Sequence, residues 1–371
     1  MACAKVSGDE PRGDKRAPRI AALRFRIDGT GGPAYKPAMR RALLSAALFL
    51  ALLLAGYTGY WFYIAHRLAA DVVPWAEARR AQGYTLHWDG FTVSGYPSKF
   101  RLSFSGAAVG GTRPLPFAAT APLLIGEARP WNLQRWGVNA PQGVHAAAPS
   151  QGDDIAAAAI DGELALADAT ALDLTAHDVA GGGKAAGLAV AEARLQLILP
   201  LQRPVSHRDT AASGALRLTG AKLPQAVSPF GDTIETLRLA GSLKGTIPPG
   251  PLHQALTVWR DDGGTIELAE GVLRWGALDL RANGTLALDE AMQPEGSLTA
   301  TIEDQGAIID AAVAAGYLRA GDAPFIKIFL GLMAKPGRDG KKRLTLPLSL
   351  QNGRVYLGPA QVAALPRFTW E

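Results

Sequence analysis

Cysteine is all but missing. Cys3 is the only one in 371 residues, so the chain beyond it can hold neither an internal disulfide nor a thiolate-ligated metal. A thiol-free domain tolerates an oxidising compartment. Charge is sparse too, at 19% Asp, Glu, Lys and Arg, against roughly a quarter in ordinary soluble domains. The six histidines, His66, His87, His145, His177, His207 and His253, are scattered without metal-ligand spacing. No Gly-x-Ser-x-Gly nucleophile turn occurs. Gly181-Gly182-Gly183-Lys184 lacks the spacing of a phosphate loop and its following Ser or Thr. Asp153-Asp154 reads as loop and Asp261-Asp262-Gly263-Gly264 as a hairpin turn, and neither has the remaining ligands of a calcium loop. The expectation is a protein that is not an enzyme, with no catalytic, cofactor-binding or metal-binding residue to nominate.

What is present is unevenly placed. The first 41 residues hold ten Lys/Arg and four Asp/Glu, a net +6, while the remaining residues hold 28 and 29, a net −1. The basic character therefore belongs to a tail over 1–38, without periodicity and read as disordered. It does not mark a nucleic-acid-binding domain.

From Ala42 to Ala65 run 24 residues without a charge, about 36 Å of helix against a hydrocarbon core of about 30 Å. Arg40-Arg41 and His66-Arg67 bound it, and Tyr57, Tyr60, Trp61 and Tyr63 crowd its second half, as at a membrane interface. The run is too long for a signal-peptide core of about 7–15 residues. The expectation is a single-pass anchor over 39–66, its lysine and arginine bias placing the tail in the cytoplasm. A β-rich domain over 67–371 then lies outside, in the periplasm. Met39-Arg40-Arg41, followed directly by the apolar run, reads like a natural start, so the tail need not belong to the natural protein.

Beyond the anchor, Leu68, Val72, Trp75 and Ala76 recur at helical spacing over Arg67–Gln82, and Gly83 can stop that helix. The period then falls to 2. Phe100, Leu102 and Phe104 share one face and Lys99, Arg101, Ser103 and Ser105 the other. Asp89-Gly90, Asp161-Gly162, Asn283-Gly284 and Asn352-Gly353 read as tight turns, since Asn-Gly and Asp-Gly suit hairpins with positive φ at both central residues. Asn283-Gly284 would then join the rows Leu278/Leu280 and Leu286/Leu288. Gln305–Leu318 and Ala323–Ala334 read as helices covering part of the sheet. The Gly/Ala/Pro-rich 141–154 and 179–187 read as connections, the first a soft boundary between two lobes. The fold class expected is mainly β with some α: one transmembrane helix, then a long antiparallel, curled β-meander with a few covering helices.

Two stretches carry a resemblance. Arg80-Ala81-Gln82-Gly83-Tyr84 followed by Val93-Ser94-Gly95-Tyr96-Pro97-Ser98-Lys99-Phe100-Arg101-Leu102 is the first, and Ala121-Pro122-Leu123-Leu124 with Pro130-Trp131-Asn132 the second. With the preceding anchor, the chain resembles domain-of-unknown-function family 2125, anchored envelope proteins mainly of alphaproteobacteria. Pro97-Ser98-Lys99 departs from that family's Pro-Phe-Arg. The resemblance implies an envelope location and no known activity. Later segments, such as Gly284–Asp289, are similar in style to AsmA-like periplasmic β-proteins, which are associated with envelope lipid transport. On the residues alone, Gly95-Tyr96-Pro97 interrupts or bends a strand.

Two readings of function follow. In the first, a binding or transfer module handles lipid or another hydrophobic ligand on apolar rows such as Leu278, Leu280, Leu286 and Leu288. In the second, a structural or assembly factor of the envelope has its sheet self-packed and envelope proteins as partners. The membrane is a partner in both and nucleic acid in neither.

Overall fold

The computed structural model describes residues 37–371 apart from 113–115, 149–151, 228, 337–341, 359, 366, 369 and 371. The expected tail over 1–38 lies outside them save for its last two residues. The chain divides into two compact units, Met1–Gly56 and Tyr57–Glu371.

One helix, α1 (Pro37–Arg80), runs without a break where the sequence reads as an anchor and a second helix; Pro74 lies inside it. His66-Arg67 does not interrupt the helical backbone. In the first unit the large apolar side chains Leu43, Leu44, Leu48, Phe49, Leu52 and Leu53 are all exposed. The helix is long and apolar enough to cross a membrane. Gly83, at φ +93°, ends it as expected, its N–H donating to the Arg80 carbonyl at 3.0 Å.

The rest is a meander. Its first half comprises β1 (Tyr84–His87), β2 (Gly90–Ser94), β3 (Phe100–Gly111), β4 (Phe117–Arg129), β5 (Asn132–Ala140), β6 (Val144–Ala148), β7 (Asp153–Leu166), β8 (Ala169–Gly183) and β9 (Ala189–Pro200). The second comprises β10 (Thr210–Val227), β11 (Gly231–Lys244), β12 (Thr265–Trp275), β13 (Leu278–Leu288), β14 (Pro294–Glu303), β15 (Lys335–Pro336), β16 (Lys342–Gln351), β17 (Arg354–Leu357) and β18 (Ala360–Ala364). The strands form one 18-stranded sheet, and the β9–β10 pairing joins its halves. Pairing is antiparallel throughout, as expected for a chain that mostly returns beside itself.

Several expected turns are corrected. Asn283-Gly284 lies inside β13, with Asn283 opposite Thr299 and Gly284 between Leu268 and Leu298. Asp161-Gly162 lies inside β7, flanked by Asn139 and Val138 on one side and Thr175 and Leu174 on the other. A dipeptide that fits a turn also fits a strand when neighbours on both sides complete its backbone hydrogen bonds. Asp89-Gly90 does not reverse the chain either: β1 and β2 lie end to end along β3 in one register, from Tyr84 opposite Gly111 to Ser94 opposite Arg101. Asn352-Gly353 is the genuine hairpin turn, with φ +52° and +68°.

The 141–154 segment carries β6, which pairs with both β4 and β7. Within 179–187, Val179–Gly183 is the end of β8 and only the residues after it turn. The two expected late helices are present as α3 (Gln305–Ala314) and α4 (Ala323–Met333). A further helix, α2 (Leu252–Asp261), was not anticipated. Asp261 ends it and Asp262-Gly263 caps it, so that acidic pair turns from helix to strand and does not close a hairpin. Its Trp259 is 2% exposed and its indole N–H donates to the Lys244 carbonyl at 2.6 Å.

Candidate functional site

Three places have the shape or chemistry of a site: the seat of α1, the apolar face of the sheet, and the polar face behind it. At the seat, Gly95 has φ +103°, and a Cβ there would lie 2.6 Å from the Lys99 carbonyl oxygen, so only glycine fits this turn between β2 and β3. The turn receives the helix. Tyr57 donates to the Pro97 carbonyl, Thr58 and Tyr96 share a hydrogen bond of 2.8 Å, and the Trp61 indole reaches the Lys99 carbonyl at 3.3 Å. Trp61 stacks on Phe100 with ring centroids 5.1 Å apart, and both are buried. Tyr60 donates to the Pro130 carbonyl at 2.8 Å. Tyr96 therefore engages Thr58, Trp61 and Phe62. Tyr96, Pro97, Lys99 and Phe100 of the first resemblance stretch and Pro130 of the second are the residues that meet the helix.

Cross-strand register defines the two faces, because directly opposed residues point to the same side. One row runs through Val93, Leu102, Gly126, Val138, Gly162 and Leu174. It continues through Leu195, Leu216, Leu239, Gly271, Ala282, Ala300 and Leu346. No member is charged. A second row, Ile160, Ala176, Ala193, Leu218, Leu237, Leu273, Leu280, Ile302 and Leu344, is equally apolar. Leu286, between Ile266 and Gly296, lies on the same face.

Glycine explains how such a face stays half-buried without a full covering layer. A Cβ built on Gly162 would meet the Leu174 side chain at 2.8 Å, on Gly284 that of Leu298 at 2.9 Å, and on Gly296 that of Leu286 at 3.0 Å. The leucines lie down over backbone that carries no side chain. Cover is uneven: Ala300 and Leu344 are buried, while Leu195 and Leu239 remain 36% and 39% exposed. Near the helix seat this face holds an apolar pocket of about 280 Å³, lined by Trp75, Leu86, Trp88, Phe104, Leu124 and Val144 among others. That is close to the lower bound of about 300 Å³ for small-ligand sites.

The polar face carries ion pairs between strands. Glu127 receives Lys99 at 2.9 Å and also Arg101, Arg135 meets Glu163 at 3.1 Å, and Arg194 and Gln196 hold Asp173. The Lys99 hydrogen bond foremost, with Arg101, holds the Glu127 carboxyl below its ordinary value; Arg194 does the same for Asp173. A recess of about 1080 Å³ opens on this face, bordered by Arg101, Glu127, Asp161, Glu163, Asp173 and Arg194. Its carboxylates already have partners, Asp161 sharing a hydrogen bond of 2.8 Å with His177. Among the described residues no three His, Cys, Asp or Glu side chains gather as a metal site. The ring of charge was invisible in sequence because its members come from separate strands; only the alternating Lys99/Arg101 and Leu rows announced two unlike faces.

A family model described as "Uncharacterized protein conserved in bacteria (DUF2125)" matches residues 61–366, and the chain belongs to that family. No curated protein and no solved structure matches it. The likeness to AsmA-like proteins finds no support among these comparisons.

Proposed function

We propose that this member of the family is a non-catalytic, membrane-anchored module of the bacterial envelope that holds acyl chains of lipid on the apolar face of its sheet. The observation that carries the reading is the continuity of the uncharged rows, the first running from Val93 and Leu102 beside the docked helix to Leu346 and the second from Ile160 to Leu344. Apolar area left half-exposed over many strands is costly in water, at roughly 25 cal/mol per Å², and extended exposed patches mark binding surfaces. Acyl chains are the occupant supplied by the surroundings, since α1 brings the domain to a bilayer. The pocket between Trp75 and Phe104 is the entrance in this scheme. The basic flank of the apolar run favours the tail in the cytoplasm and the sheet in the periplasm, against the inner membrane.

Native mass spectrometry of the full chain, purified in mild detergent from membranes, tests this. At least one phospholipid-mass adduct is expected, reduced several-fold in Ala108→Phe, which fills the pocket. Adduct-free protein would overturn the reading.

The second reading, a structural or assembly factor with envelope proteins as partners, draws on a different observation: parts of the apolar face are closed. Leu102, opposite Val93, is buried, and Ala300 and Leu344 are buried further along the sheet. Adduct-free protein that co-purifies with a defined envelope partner would favour it.

A further inference from the structure

We infer that the rim around Tyr96 and Trp131 is seated in the headgroup layer of the bilayer, with lipid phosphates meeting Lys99 and Arg129. The inference rests on α1 crossing a membrane and is independent of what the apolar face carries.

Counting along the helix fixes the level. About 20 helical residues cover a hydrocarbon core of about 30 Å; counted from Ala42, after the last charge, they end at Trp61. The loops dock at that same level, through Thr58 to Tyr96, Tyr60 to the Pro130 carbonyl, and Trp61 to the Lys99 carbonyl. Loop backbone hydrogen-bonded to that turn of helix cannot be far from the hydrocarbon boundary. The exposed side chains match the place. Trp131 is 67% exposed, Phe62 58% and Tyr96 48%, a cluster poorly suited to water and well suited to an interface where one side is apolar and the other wet.

The cations complete the match. The Arg129 guanidinium lies 5.9 Å from the Trp131 ring centroid, and among the described residues no carboxylate lies within ion-pair reach of it. Lys99 shares Glu127 with Arg101. Lys99, Arg129 and Arg135 border one polar recess of about 830 Å³ with Trp131, Glu127 and Glu163; the two carboxylates pair with Lys99 and Arg135, which leaves Arg129, beside the indole, as the cation most open to an anionic headgroup.

The test uses the full chain with Cys3→Ser and Ser98→Cys, labelled with an environment-sensitive fluorophore. It is reconstituted in vesicles of phosphatidylethanolamine and phosphatidylglycerol. A label at His207→Cys, an exposed turn between β9 and β10, is the aqueous control. At Ser98 the probe is expected to be quenched by headgroup spin-labelled lipid and shielded from aqueous iodide several-fold relative to His207. Combining Arg129→Gln with Trp131→Ala should return iodide access toward the control. Equal iodide quenching at the two sites overturns the inference. So does shielding that persists unchanged in the double variant, because protein packing alone would then explain it.

Discussion

Glu127 shows how single residues hold the polar face. Its carboxylate takes hydrogen bonds from Lys99 and Arg101, which tie β3 to β4 beside the turn that receives α1. The folded pKa is depressed below the ordinary 4.5. The sign follows: this carboxylate binds fewer protons folded than unfolded near that pH, so its contribution is present above 4.5 and fades as pH falls through the folded value. With the side chain about one-third exposed, solvent screening limits the pair to roughly 0.2–1 kcal/mol. Glu127→Gln is expected to lower the melting temperature slightly at pH 7 and to narrow the gap from wild type below about pH 4. A gap that widened in acid would contradict the assignment. Trp61 acts on the other side of the same turn. Its place in the apolar run suits an interfacial aromatic, yet it is 4% exposed and stacked on Phe100; nothing in a linear apolar run marks which ring turns toward the sheet.

At the scale of elements, legibility depended on whether the signal was local. The long apolar helix, α3, α4 and the alternation in β3 were readable because apolar period and length decide them. The Asn352-Gly353 turn was readable because both residues adopt positive φ. Asn283-Gly284 misled because β12 and β14 flank it, and whether a strand has partners on both sides is not written in its own residues. α2 follows Pro248-Pro249-Gly250-Pro251 and is only ten residues long, so its two buried apolar residues, Ala255 and Trp259, were lost among loop signals. The two dipeptides separate experimentally. A methyl on Gly284 would lie 2.3 Å from the Ser297 carbonyl oxygen and 2.6 Å from the Leu298 Cα, while Gly353 has nothing within 4 Å. Gly353→Ala should therefore cost only the backbone penalty, about 1 kcal/mol. Gly284→Ala should cost more, by roughly 1–3 kcal/mol, as overpacking against fixed backbone does. Urea denaturation of both variants measures the difference, and equal losses would put Gly284 back in a turn.

At the scale of the whole molecule, the sequence features that looked like poverty acquire a reason. The described rows that pack leucine over glycine need neither charge nor cysteine, and the abundant Gly serves strand interiors such as Gly162 and Gly284 as well as turns. The sheet separates an uncharged face from one bearing Arg194, Arg217 and Arg238 opposite one another. Adjacent residues therefore report on opposite environments, and Leu216 and Arg217 sit side by side in the middle of β10. A photoreactive benzoyl-phenylalanine placed at each position in turn, and irradiated in native membranes, asks directly what lies against each face. Lipid adducts are expected at Leu216 and not at Arg217. Absence of lipid at Leu216, or equal labelling at both, would contradict a lipid-holding apolar face.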